Sequence, residues 1–276
     1  MKHAAWFLLA VFPLAGQSLT VATFNVRYPE KRDGANTWEV RKDLLVATVR
    51  QMDPDLMGVQ ELFKVQGDYI AGKLPAYAWL GVSRRGNTED EYSALFYKKD
   101  RFQVVEHGEF WLSETPGKVG STSWNMSLPR MATWALLADA RGGGQLYFVN
   151  THFAHRREDE DARQRGARVI QDWLGTLPPS VPVILTGDFN SGAEAGTYQV
   201  MINGFGDAWK LAPRRAGPEG TFHGFGGKPG AERIDWIFLR GPWIVQEAAT
   251  VTHNDNGRYP SDHFPVRALV ELFRSR

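Results

Sequence analysis

The feature that most constrains this chain is a succession of short apolar runs, each closed by a polar residue or a turn, with few long helical stripes between them. The runs Leu19–Val26, Leu56–Gln60, Tyr92–Tyr97, Phe102–Phe110, Ala132–Asp139, Leu146–Asn150, Val183–Thr186, Ile234–Leu239 and Val266–Leu272 have strand length and are rich in β-branched and aromatic residues. Helical spacing appears over Trp38–Gln51, where Arg41, Leu44, Leu45, Thr48 and Val49 share a stripe. It appears again over Glu158–Leu174, where Ala162, Val169, Ile170, Trp173 and Leu174 do so. The second segment opens on acids, as a helix N-terminus favours. A weaker helical pattern covers Lys64–Lys73. Strands mixed with helices along the whole length predict an α/β layered fold. The Gly/Pro-rich stretch Pro213–Gly230 reads as a long loop of the same domain, because a strand run resumes after it.

Ahead of these runs lies an apolar segment, Ala4–Gly16, preceded by Lys2 and His3. It is too short to span a bilayer comfortably and has the length of a signal-peptide core. With Pro13 and the small residues Ala15, Gly16 and Ser18 it predicts a secretory signal over residues 1–18 and a secreted or periplasmic protein. A single domain is then expected over 19–276. Lys plus Arg number 32 against 31 Asp plus Glu, so the chain as a whole exerts no pull on polyanions. That argues against a tight, sequence-independent duplex binder. The cysteine count is 0, which excludes disulfides, thiolate zinc sites and cysteine nucleophiles.

The chemistry-bearing side chains share one position. Asn25, Glu61, Asn150 with His152, Asp188 with Asn190, Asp235, and Asp262 with His263 each lie at the end of an apolar run, inside it, or in the turn beside it. Strand ends are where a rigid sheet presents side chains into a common crevice. Glu61, Asp188, Asp235 and Asp262, with Asn25 and Asn190, are hard oxygen donors suited to Mg²⁺, Mn²⁺ or Ca²⁺. His152 and His263 can move protons. Asp262 is adjacent to His263 in sequence and cannot face it as a tight pair, so Asp235 is the better residue to orient that ring. The sequence has no P-loop, no G-x-S-x-G elbow, no G-x-G-x-x-G opening a helix and no H-E-x-x-H. Gly142–Gly144 reads as a hairpin turn between two strands. His107, His223 and His253 read as surface or satisfied loop histidines. Trp38 is a candidate for stacking on a base or sugar, against the commoner role of a tryptophan in the core.

In order, TFNVRY, GVQEL, EYSALFYKKDRF, NTHF, LTGDFNS, RIDWIF and SDHFPV closely resemble the endonuclease/exonuclease/phosphatase superfamily, from about Leu19 to Leu272. FWLSETP and LPRMATWALL resemble a bacterial, often exported branch. The resemblance implies a four-layer α/β/β/α sandwich of two packed β-sheets, and hydrolysis of a phosphate ester by in-line attack of water with a divalent metal, Mg²⁺ or Mn²⁺. It implies that Glu61 is the principal metal ligand, with Asn25 beside it and Asp262 adding a contact. Asp188 and Asn190 would hold the scissile phosphate and the attacking water. Asp235 would orient His263, itself a base or a phosphate-stabilising cation. His152 would contact the phosphate and serve as acid with support from Glu91, and Arg130 would contact a phosphate. In this branch NTHF is commonly followed by Asp-His, whereas here Ala154 precedes His155. His155 is therefore reduced to a substrate contact. Expected partners are nucleic acid, a nucleotide, or a phosphorylated small molecule or lipid head group, taken by a monomer without an obligate protein partner. The rival readings are a phosphate binder that kept the fold without turnover and, as a lower expectation, a sphingomyelinase-like lipid phosphodiesterase.

Overall fold

The structure, a computed structural model, describes residues 18–142 and 144–273. Apart from Ser18, the segment expected to be a secretory signal lies outside the described residues. Strand β1 (Ser18–Asn25) leads through a 3-10 turn into helix α1 (Trp38–Met52). Next come β2 (Leu56–Leu62), α2 (Lys64–Lys73), β3 (Tyr77–Leu80) and β4 (Tyr92–Lys98). A meander follows, of β5 (Phe102–Trp111), β6 (Met131–Asp139) and β7 (Gly144–His152). After it come α3 (Glu160–Gly175), β8 (Val183–Asp188), α4 (Gly196–Ile202), β9 (Gly206–Asp207) and α5 (Ala208–Leu211). The order closes with β10 (Arg215–Ala216), β11 (Asp235–Arg240), β12 (Trp243–Thr250) and β13 (Val266–Leu272).

The strands form two sheets, one ordered β10-β12-β13-β1-β2-β4-β3 and the other β5-β6-β7-β8-β11-β9. Three apolar clusters show the layering. Leu19, Val21, Leu56, Phe148, Ile184 and Val270 fill the space between the sheets. Trp38, Leu45 and Val49 of α1 and Ile70 of α2 pack on Met57, Val59 and Phe96 of the first sheet. Ala167, Ile170 and Leu174 of α3 pack on Val149 and Leu185 of the second. The result is the expected four-layer α/β/β/α sandwich. A fully buried Leu, Val or Phe contributes roughly 1.5–3 kcal/mol relative to exposure, so each layer boundary is strongly fixed.

Differences from the sequence reading are local. The acids Glu158 and Asp159 sit in a 3-10 turn, and α3 starts at Glu160. β3 is only 4 residues long, and β12 carries a register shift between Val245 and Glu247 that breaks its alternation; neither was anticipated. β6 and β7, on either side of the expected turn, pair antiparallel with Asp139 opposite Gly144, and Gly143 of that turn lies outside the described residues. The long loop after Pro213 is tied back to the body, since Phe222 bridges to His263.

A buried polar layer joins the sheets directly beneath their polar tips. Gln60 Nε2 donates to Thr23 Oγ1 at 3.0 Å and to Asn150 Oδ1 at 2.6 Å. Thr186 Oγ1 donates to Val149 O and reaches the same Asn150 oxygen at 3.1 Å. Asn150 Nδ2 donates to Val59 O and Ala94 O. Asn150, grouped in sequence with the strand-end candidates, is therefore fully buried and holds one sheet to the other. Gly58 permits this approach, because a Cβ there would lie 2.0 Å from Thr186 Oγ1. Side chains at i and i+2 share a strand face. Thr23 thus sits below Asn25, Asn150 below His152, and Thr186 below Asp188.

Candidate active site

The strand register sets the first row of the site. His152 of β7 lies opposite Asp188 of β8, and Asp188 lies opposite Asp235 of β11. Asn25 ends β1 in the neighbouring sheet. Glu61 reaches the same place through an irregularity. The β2–β4 register shifts between Val59 and Leu62, and Glu61 adopts a left-handed φ of 56°. A bulge re-aims one side chain. Here it leaves Gln60 in the inter-sheet layer and turns Glu61 into the cleft. Asn190 is also left-handed, with φ 48°, a conformation that Asn tolerates better than most residues. It bonds Asp188 Oδ1 through its N–H at 3.0 Å.

One oxygen is the meeting point. Asp188 Oδ2 accepts from Asn25 Nδ2 at 2.9 Å and lies 3.6 Å from His152 Nε2 and 3.8 Å from His263 Nε2. Behind His263, Nδ1 pairs with Asp235 Oδ2 at 2.9 Å. Behind His152, Nδ1 lies 3.8 Å from Glu91 Oε2, which accepts from Arg84 Nη1 at 2.7 Å. Arg130 is 4% exposed and bonds His155 Nδ1 through Nη2 at 3.1 Å. Its Nε has no partner, and no carboxylate lies within 4 Å of it among the described residues. The cleft has a volume of about 670 Å³ and is lined by Glu61, Glu91, Arg130, His152, His155, Asp188, Asn190, Asp262 and His263 together with Arg27, Tyr28, Arg84 and Phe222.

Charge is distributed unevenly. Burial opposes the positive charge of His263, but Asp235 and Asp188 outweigh it and lift its pKa to about 10. Burial also lowers the pKa of His152, and Arg130 and Arg84 push it further down. Burial, then Asp235, raises Asp188 to about 6, against the opposing charge of His263. Glu91 is raised to about 7 by burial and then by Glu61.

A divalent cation fits the carboxylate side of the cleft. Burial and then the charge of Asp262 raise the pKa of Glu61, so two carboxylates repel across a site suited to a hard cation. Arg27 approaches both, 3.9 Å from Glu61 Oε2 and 3.9 Å from Asp262 Oδ2, while its main pairing is with Asp33. Asn25 Nδ2 faces Glu61 and Asp188, while Oδ1 accepts the Arg27 N–H at 3.0 Å. Asn25 thus bridges the two carboxylates on the metal side of the cleft. Asp188, Asp235 and His263 also present ligand atoms within 4.8 Å of one another. There, however, the His263–Asp235 pair already uses one oxygen and one nitrogen.

Of the sequence candidates, Asn150 lies beneath the site in the inter-sheet layer and Trp38 falls away from it. Trp38 is 5% exposed at the start of α1, edge-on to Tyr69 at 5.7 Å, in the core between α1 and the first sheet. It stacks on nothing from solvent, so its expected substrate contact is corrected to a packing role. Asn25 and Asp235 are fully buried beneath the cleft floor. Ala154, at the position of the acid common in that branch, is buried beside Met126 and Ala162. His223, expected as a surface or satisfied loop histidine, is instead buried, with Nδ1 accepting the Gly227 N–H and the ring stacked on Phe264 at 3.9 Å while Nε2 has no partner among the described residues. Sequence reasoning missed Arg27, Tyr28, Arg84 and Phe222. Arg27 and Tyr28 stood within the TFNVRY motif but carried no distinguishing pattern. Phe222 is 48% exposed with its ring 5.1 Å from that of His263, a juxtaposition that only the long loop's return creates.

Comparison with known proteins places this geometry. The model of the Endonuclease/Exonuclease/phosphatase family matches residues 22–263. An endonuclease/exonuclease/phosphatase family protein of Bacteroides thetaiotaomicron superposes with a TM-score of 0.89 at 33% identity, over 94% of this chain and 99% of that one. A mannosyl-6-phosphatase from Bacteroides thetaiotaomicron superposes with a TM-score of 0.86 at 33% identity, over 92% of this chain and 100% of that one. The CCR4-Not complex 3'-5'-exoribonuclease subunit Ccr4 of Mycosarcoma maydis is 24% identical over 316 residues, covering 87% of this chain and 47% of its own length. This chain spans about half the length of the curated relatives it matches.

Proposed function

The chain belongs to the endonuclease/exonuclease/phosphatase family, whose members hydrolyse phosphate esters, and from that premise we propose that it is a divalent-metal-dependent phosphomonoesterase acting on a phosphorylated sugar or a molecule of similar size. The observation that carries the monoester reading is Arg130, a buried guanidinium facing the cleft that has, among the described residues, an unpartnered Nε and no carboxylate within 4 Å. Such a cation is costly to bury unless an anion completes it. The terminal oxygens of a dianionic monoester suit it better than the single charge of a diester. The mannosyl-6-phosphatase relative supports the sugar class.

In the proposed reaction a water oxygen forms a bond to phosphorus while the bond from phosphorus to the ester oxygen breaks. Asp188, fixed by Asn25 Nδ2 and the Asn190 N–H, takes the water proton. Its raised pKa suits a base working near neutral pH. His263, charged through Asp235, stabilises a phosphoryl oxygen. His152 is neutral, so it protonates the leaving oxygen from Nε2 while receiving the Glu91 proton at Nδ1. Glu91, raised to about 7, holds that proton in a substantial fraction of molecules at neutral pH. The proton on Asp188 then passes to solvent, Glu91 regains a proton from solvent, and the His152 proton returns from Nδ1 to Nε2, which closes the cycle. Glu61 and Asp262 are the residues to hold the divalent cation, for which Mg²⁺ is our choice and which supplies charge neutralisation at the phosphate and the leaving oxygen.

The test is release of phosphate from hexose 6-phosphates and p-nitrophenyl phosphate, against cleavage of bis-p-nitrophenyl phosphate and a single-stranded oligonucleotide, with Mg²⁺ or EDTA. Monoester kcat/KM at least about tenfold above the diesters is expected, equivalent to about 1.4 kcal/mol of discrimination, and EDTA abolishes it. Faster diester cleavage overturns the monoester reading in favour of a nuclease or lipid phosphodiesterase. No turnover on any substrate favours the phosphate binder.

A further inference from the structure

Arg41 projects from the first turns of α1 and is 2% exposed. A guanidinium has five N–H donors, and here each has a backbone carbonyl. Nε donates to Asn36 O at 3.0 Å; Nη1 to Val26 O at 2.6 Å and Pro260 O at 3.0 Å; Nη2 to Arg27 O at 2.5 Å and Tyr28 O at 3.4 Å. No carboxylate lies within 4 Å of Arg41 among the described residues. Burial lowers its pKa to about 10, which leaves it charged at neutral pH. A cation at the N-terminal end of a helix also opposes the helix dipole. A buried arginine in so unfavourable a place is held by what it gathers.

What it gathers is the backbone on both sides of the carboxylate pair. In extended chain, successive carbonyls point to opposite sides. The carbonyls of Val26, Arg27 and Tyr28 instead converge on one guanidinium, because Arg27 takes a left-handed φ of 54°. A non-glycine residue persists there only where its surroundings over-determine it. The amides of this turn then face the other way. Arg27 N–H donates to Asn25 Oδ1 at 3.0 Å and Tyr28 N–H donates to Glu61 Oε2 at 3.1 Å. On the other side, Pro260 precedes Ser261, whose hydroxyl donates to Asn25 O at 2.7 Å, and then Asp262 and His263. We propose that Arg41 is a positioning residue that clamps the Val26–Tyr28 turn to the Pro260–His263 segment and so sets the spacing of Glu61 and Asp262 for a divalent cation. The inference rests on the reading of those two carboxylates as the metal-holding residues.

The experiment measures Mn²⁺ binding to the purified protein by the loss of the free-ion electron paramagnetic resonance signal, alongside circular dichroism and amide exchange in the metal-free protein. The variants are Arg41→Lys and Arg41→Met. The control is Val270→Ala, a cavity at the opposite end of the sheets. Lysine keeps the charge but lacks the planar fork, so it is expected to restore folding and not the spacing. Both Arg41 variants are expected to raise the Mn²⁺ dissociation constant at least about tenfold (about 1.4 kcal/mol), and the Arg27 and Tyr28 amides to exchange faster. Val270→Ala lowers Tm and leaves the constant unchanged. If Arg41→Met does not fold, Arg41→Lys decides alone. An unshifted constant in a folded Arg41 variant, or an equal shift in Val270→Ala, overturns the clamp while leaving the metal reading intact. No Mn²⁺ binding by the wild-type protein overturns both.

Discussion

His152 and His263 are buried alike, at 6% and 5% exposure, and both turn Nε2 towards Asp188 Oδ2, yet they stand in opposite fields. Behind His263 is Asp235, a carboxylate in direct hydrogen-bond contact and, among the described residues, with no arginine on its oxygens. Behind His152 is Glu91, whose Oε2 already accepts a hydrogen bond from Arg84, while Arg130 lines the same cleft. One wall therefore carries its positive charge on the imidazole. The other carries it on guanidinium groups and keeps the imidazole neutral. Burial alone would discharge both rings, so the difference lies in the second residue of each pair. A symmetric pair of histidines would give the cleft two interchangeable ends. This pair gives it a charge-stabilising end and a proton-delivering end.

The change expected to collapse this asymmetry most completely is Asp188→Asn, which removes the carboxylate between the rings. We expect kcat to fall about 10³-fold in steady-state assays, within the range for loss of a general base. A fall below tenfold contradicts the base role. Asp235→Asn removes the charge from one wall only. A loss of about 10²-fold in kcat is expected, as for removal of one electrostatic stabiliser. In the wild-type metal-free protein, ¹⁵N spectra at pH 7.5 should show His263 doubly protonated and His152 with a single proton, and in Asp235→Asn both rings neutral. A neutral wild-type His263 breaks the comparison. The sign of the linked stability follows. A pKa raised from 6.5 to about 10 makes the His263 pair's contribution complete below about 6.5, and it is lost as pH rises through about 10. The smallest change is expected from Arg130→Met, which removes one guanidinium charge near His152 and leaves the Glu91 and Asp235 contacts of the two rings in place. KM for a monoester should rise about tenfold, with a smaller rise for a diester. Equal effects on both esters remove the support for a dianionic substrate.

Much of this arrangement is legible in the sequence because strand-end chemistry is local. GDFN and SDHF each carry their acid, amide or histidine in a few residues, and period-2 alternation fixes which face they share. The layers follow in the same way from apolar runs whose burial does not depend on distant partners. What escaped the sequence depends on approach between distant segments. Glu61 was named, but the left-handed bulge that aims it was not. Asn25 was named, but its hydrogen bonds with the Arg27 N–H and with two carboxylates from other strands were not. Arg41 read as one member of a helical stripe, since nothing in Trp38–Gln51 says that five carbonyls from three segments meet it. Trp38 and Asn150 show the converse error. Each has chemistry suited to a ligand, and the packing of α1 and of the inter-sheet layer uses both of them inside.

The proposed chemistry comes down to water attacking phosphorus at Asp188 with a cation held by Glu61 and Asp262. The most direct measurement follows hexose 6-phosphate hydrolysis in ¹⁸O-enriched water, with Mg²⁺ and with EDTA, for the wild-type protein and Asp188→Asn. One ¹⁸O atom per inorganic phosphate, with turnover lost on chelation and in a folded Asp188→Asn, is the expected result. Label in the sugar alcohol, or unchanged turnover in Asp188→Asn or EDTA, contradicts it.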